Sequence, residues 1–121
     1  MGSARARARS TTAFGATASR SNGTAVVAVR GEVDLYTAPR LWETIDAAIA
    51  DTPHELVIDL SRVSFVDSSA LSVLVKALKR LRPVDGTVVV RGATDQVFMA
   101  LELTRLTSVL TVEAPEPRSL S

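Results

Sequence analysis

Hydrophobic positions along this chain switch repeatedly between a period of two and a period near three and a half. A weak alternation at Ala13, Phe14, Ala16 and Ala18 predicts a short edge strand over Thr12–Ser19. Ser21-Asn22-Gly23 follows with turn chemistry, and the Val-rich run Thr24–Arg30 (TAVVAVR), closed by Gly31, completes a hairpin. Thr37-Ala38-Pro39 then opens a helix, with Thr37 expected as its N-cap and Pro39 in the first turn, where a missing N–H costs nothing. Ala38, Leu41, Ile45, Ala48 and Ile49 share one face of that helix, and Trp42 stands at the margin of the stripe as a cap on the core edge. Asp51-Thr52-Pro53 ends it.

The second half repeats the scheme. Glu55–Leu60 (ELVIDL) predicts a buried strand, and Ser61–Val66 leads into Asp67-Ser68-Ser69-Ala70. Apolar residues then return at Leu71, Leu74, Val75, Leu78 and Leu81, so a helix runs to about Arg82 before Pro83 stops it. Asp85-Gly86 turns the chain into the strand Thr87–Arg91. Thr94 or Asp95 caps a third helix with Val97, Phe98 and Leu101 inward and Leu106 closing its far end, and Ser108–Val112 reads as a last strand. Strands alternating with helices call for an α/β fold built on a mostly parallel sheet with right-handed crossovers. One folded unit is expected over residues 12–113, between a disordered basic tail (1–11) and a flexible proline-containing tail (114–121).

Composition narrows the function classes. The chain has 121 residues, enough for one core, and no cysteine, which excludes disulfides and thiolate metal sites. No apolar run approaches a membrane span and no secretory signal is evident, so a soluble cytoplasmic protein is expected. The net charge of +1 hides an asymmetry. Arg5, Arg7, Arg9 and Arg20 lie at the start, whereas residues 21–121 hold ten basic and thirteen acidic side chains. A mildly acidic folded part with five aromatic residues does not fit a nucleic-acid-binding surface.

Catalytic and nucleotide-binding patterns fail in turn. Neither GxxxxGK[ST] nor GxGxxG occurs, and the first strand is followed instead by RGEVDLYTAP. Ser68 lacks the glycines of a nucleophile elbow, while His54, the one histidine, sits in a connecting loop and reads as a surface residue. The carboxylates Glu32 and Asp34 have no partner acid or metal cluster beside them. The hydroxyl pair Ser68-Ser69 remains, placed where a strand hands over to a helix. One of the two would serve as an ordinary N-cap, a role worth about 1 kcal/mol. A phosphoryl group on Ser68 would also fit there, since free N–H groups and the positive end of the helix favour an anion, although Asp67 alongside would repel it.

Three segments carry a family resemblance: GEVDLYTAPRL after the first Val-rich strand, then LVIDLSRVSFVDSSALSVLV, then VVVRGATDQVFMALELTRL. Together they resemble the STAS (sulphate transporter and anti-sigma factor antagonist) domain, and within it the stand-alone bacterial anti-sigma factor antagonists. The resemblance covers about Thr12 to Val112. It implies a mixed, mostly parallel sheet of four or five strands with successive crossover helices packed on one side. It also implies a non-enzymatic partner switch without a cofactor: the unmodified antagonist binds an anti-sigma factor that is also a serine kinase, phosphorylation breaks the complex, and a phosphoserine phosphatase restores it. The implied phosphoacceptor is Ser68, with Ser69 as the fallback, and the implied partner-binding residues are Asp34, Asp67, Ser68 and Ser69. Neither nucleic acid nor a membrane is an implied partner.

This chain departs from the family pattern at Ala70 and Ser72, where glycines are usual, and at Arg105, also a glycine position. Ala70 is expected to firm the helix start by roughly 0.8 to 1 kcal/mol while crowding the approach of a kinase backbone. A left-handed Arg105 adds roughly 1 kcal/mol of strain. A ligand-sensing or scaffold STAS module without a phosphorylation cycle is the alternative reading.

Overall fold

A computed structural model describes residues 13–113; the expected tails at 1–11 and 114–121 lie outside the described residues. The chain opens with strand β1 (Gly15–Ser21), joined to β2 (Thr24–Val33) by the two-residue turn Asn22-Gly23. Both turn residues take positive φ, 49° and 83°, the conformation that matches the twist of a tight hairpin and that asparagine and glycine tolerate best. The pair is antiparallel, in register from Gly15 opposite Arg30 to Ser21 opposite Thr24. The exposed His54 lies at this end of the sheet, its ring against Gly23.

Every later strand is parallel to its neighbour. Helix α1 (Ala38–Ala48) leads to β3 (Glu55–Val66), α2 (Ser68–Leu81) leads to β4 (Thr87–Arg91), and α3 (Asp95–Leu103) leads to β5 (Thr111–Val112). The five strands stand in the order β1-β2-β3-β4-β5. Leu41 and Ile45 of α1, Leu74 and Leu81 of α2, and Leu101 of α3 join Val27, Val29, Leu56, Ile58 and Val90 in one buried cluster, which places all three helices on one face of the sheet. Val57 and Val89 are also buried but belong to the other pleat, outside that cluster. The α/β fold and its mixed, mostly parallel sheet are as expected, with five strands.

Four strands differ in their bounds from those read in the sequence. β1 spans Gly15–Ser21 where Thr12–Ser19 is expected, and β2 is not closed by Gly31 but runs through it to Val33. Strand β3 does not stop at Leu60 but continues to Val66, with irregularities in its pairing to β2 between Ala28 and Arg30 and between Gly31 and Glu32. The extra residues break the period of two, so the alternation fades while the strand persists. The Asp59 carboxylate accepts the Ser61 N–H (2.9 Å) there, and Gly92 of the next crossover packs so close that an added Cβ would lie 2.9 Å from Ser61 Cβ. The last strand shrinks from Ser108–Val112 to Thr111–Val112, because Leu106–Ser108 winds into a 3-10 turn behind Arg105, whose φ is 63°. The left-handed arginine is therefore real. After α2, Pro83 sits within a 3-10 turn, Arg82–Val84, that relaxes into Asp85 at φ 58°.

Candidate functional site

The loops that follow β2 and β3 meet at one end of the sheet, where the Asp67 N–H donates to the Val33 carbonyl (3.1 Å). This contact brings Asp34, Asp67, Ser68 and Ser69 to a common edge. The two loops use their aspartates differently.

In the first, the Asp34 carboxylate accepts the backbone N–H of Tyr36 (2.9 Å) and of Thr37 (3.0 Å). The Thr37 hydroxyl receives the Asp34 N–H (2.9 Å) and points its own proton at Glu32 O (2.9 Å) and Asp34 Oδ1 (3.2 Å). Thr37 does not cap α1 through its side chain as the sequence predicts, because its hydroxyl is engaged backward in this turn. Donation by the Thr37 amide, helped by the Tyr36 amide and the hydroxyl and opposed by partial burial, holds the Asp34 carboxyl below the ordinary carboxylate range. The turn thrusts Leu35 and Tyr36 outward, 65% and 83% exposed. Neither was singled out in the sequence. The available signal was two large side chains placed between a turn aspartate and a helix whose inward face begins only at Ala38.

In the second loop Asp67 itself is the N-cap of α2. Its Oδ1 accepts the N–H of Ser69 (2.7 Å) and of Ala70 (3.4 Å), and its backbone is extended at φ −117°, ψ −171°. The expectation that Ser68 or Ser69 caps the helix is thus corrected. An aspartate one residue earlier reaches the same donors, which releases both hydroxyls. Ser68, the first helical residue, is exposed, and its Oγ makes no hydrogen bond among the described residues; its carbonyl accepts the Ser72 hydroxyl (3.0 Å). Ser69 is half-buried.

Two further expectations change with this geometry. Ala70 is buried beside Val33, Leu41, Leu60 and Leu74, so its methyl points into the core and does not crowd an approach from solvent. Two N–H groups expected to welcome a phosphoryl on Ser68 are already taken by Asp67. A phosphoryl there, adding a charge of about −1.5 to −2, would meet the Asp67 carboxylate. Glu32 supplies only its carbonyl to the first loop. Among the described residues no group of three or more His, Asp or Glu is placed to hold a metal ion, and no helix is long and apolar enough to cross a membrane.

Comparison with known proteins agrees with this architecture. Residues 16–116 match the family model of the STAS domain. The anti-sigma-B factor antagonist of Listeria monocytogenes is 36% identical over 88 residues, 73% of this chain and 77% of that protein. The anti-sigma-F factor antagonist RsfB of Mycobacterium tuberculosis is 44% identical over 73 residues, 60% of each chain. The crystal structure of an anti-sigma factor antagonist from Mycobacterium paratuberculosis is similar at a TM-score of 0.71 and 36% identity, covering 83% of this chain and 85% of that one. The unphosphorylated form of SpoIIAA shares the fold at a TM-score of 0.70 and 20% identity, over 84% and 89%. With its five-stranded mixed sheet, its two aspartate-built turns and these relatives, the chain belongs to the STAS domain family, among its anti-sigma factor antagonists.

Proposed function

We propose that this protein is a cytoplasmic partner-switching antagonist: with Ser68 unmodified it binds an anti-sigma factor that is also an ATP-dependent serine kinase, and phosphorylation of Ser68 ends the complex. The observation that carries this reading is the exposed Ser68 hydroxyl on a backbone held rigid by the Asp67 cap. An acceptor must be accessible and fixed at once, and a strand-to-helix junction meets both conditions. Asp34, Asp67 and Ser69 border the same surface and would lie under a partner centred on Ser68.

The chain supplies no catalysis. ATP and Mg²⁺ come with the kinase: Ser68 Oγ attacks the γ-phosphorus, the bond from that phosphorus to the bridging oxygen breaks, ADP leaves, and the hydroxyl proton passes to a base of the kinase. The product adds charge beside Asp67 and bulk at the centre of the contact, and both oppose rebinding. A phosphatase returns the hydroxyl.

The test is incubation with the cognate kinase and ATP, followed by intact mass and peptide mapping. Ser68→Ala is expected to abolish labelling and Ser69→Ala to retain it; the reverse pattern moves the acceptor to Ser69. A pull-down that recovers other STAS proteins and no ATP-binding kinase would support the scaffold reading instead.

A further inference from the structure

Next to the start of α2 the surface is grooved. Between α1 and α2 lies a depression of about 450 Å³ whose walls include Leu35, Trp42, Glu43, Ser69, Val73 and Lys76. Trp42, the one tryptophan of the chain, borders it half-buried, with Lys76 Nζ 4.7 Å and the Arg80 guanidinium 5.8 Å from its ring centre. Arg80 is paired with Asp46 at 2.6 Å, whereas Lys76 makes no ion pair among the described residues.

We propose that this groove seats an apolar side chain of the anti-sigma factor, from a segment carrying an acidic residue that meets Lys76. The inference rests on the Ser68 reading above and adds the surface on which the partner gains its affinity.

Continuity and charge both support that occupant. Ser69 lines the groove and directly follows Ser68, and the groove extends along α2 through Ser72 and Lys76, so it begins within one helical turn, about 5.4 Å, of the acceptor. A specific interface covers about 800 Å² on each partner, so one that covers Ser68 reaches the groove. Leu35 is presented on a turn already closed by three hydrogen bonds to the Asp34 carboxylate, and little ordering remains to be done when it is covered. Tryptophan is among the residues at which interface energy concentrates, since its ring offers area; Lys76, which makes no ion pair among the described residues, favours an acidic neighbour on its side of the groove, while Glu43 shares the lining.

The experiment titrates the full-length unphosphorylated chain with its cognate anti-sigma factor, reading affinity by calorimetry and Trp42 emission against a Trp42→Phe control that removes the partner's own signal. Wild-type binding should shift Trp42 emission. Leu35→Asp and Lys76→Glu should each weaken affinity roughly tenfold to a hundredfold, with thermal melting little changed because both side chains are exposed and Lys76 loses only its contact with the Trp42 ring. Wild-type binding with both variants within twofold and Trp42 emission unmoved would overturn the groove and leave the Ser68 reading standing. Absence of any wild-type complex would overturn that reading, and the groove with it. A dimer of this chain that Leu35→Asp dissociates would assign the groove to a second copy and likewise overturn the proposal.

Discussion

The two strand-to-helix turns at the site are built from the same kinds of residue and put them to opposite uses. At the end of β2, Asp34 closes a turn on Thr37, and the threonine hydroxyl is locked between Glu32 and Asp34. At the end of β3, Asp67 caps α2, and the hydroxyl of Ser68 has no partner among the described residues. The start of α3 offers a control, since there Thr94 caps with its own oxygen, which accepts the Val97 N–H (3.3 Å). A hydroxyl becomes available at a helix start when a neighbouring carboxylate takes over the cap.

Mutations can break this contrast, and the largest effect is expected in the first turn. Asp34→Ala removes the acceptor of three hydrogen bonds and should cost about 1 to 2 kcal/mol in urea denaturation, with Leu35 and Tyr36 losing their fixed presentation. Asp67→Ala should cost about 1 kcal/mol, and Asp67→Asn should recover most of it because the amide oxygen still accepts. If Asp67→Ala proves as stable as the parent, one of the serines has taken the cap and the contrast between the two turns fails.

The charge itself gives a smaller effect, seen against pH. Because the folded-state pKa of Asp34 is depressed, its ionisation stabilises the protein above the unfolded-state pKa, about 4, and that contribution disappears as pH falls through the folded value. Asp34→Asn should therefore trail the parent at pH 7 and approach it at pH 3 in parallel denaturant titrations. A gap that widens in acid would reverse the sign and refute the assignment. Smallest of all, Ser68→Ala should lie within about 0.5 kcal/mol of the parent in melting experiments, since Ser68 is exposed and its hydroxyl makes no hydrogen bond among the described residues.

Much of the fold is legible in the residues because their local preferences agree with the final packing. Asn22-Gly23 could only be a tight turn, the stripe through Leu41 and Ile45 could only face a core, and Thr94 caps where expected. The end of β3 was hidden because its pairing irregularities interrupt the alternation by which strands are recognised. The site was half legible. Asp34, Asp67, Ser68 and Ser69 lie at one edge of the sheet, yet threonine, serine and aspartate are all good caps by type, and only the backbone path decides which one reaches the free N–H groups. Leu35 and Tyr36 were passed over because large apolar side chains read by default as core.

Ala70 sits two residues from Ser68, and its methyl is anchored among core side chains. Drawing Ser68 out into an extended strand would therefore pull on the packed core. If Ser68 is the acceptor as proposed, its kinase would have to recognise the shape of a folded domain, and a synthetic peptide spanning Phe65 to Val75 should be a poor substrate beside the whole chain. Specificity would then reside in tertiary structure more than in a consensus of flanking residues.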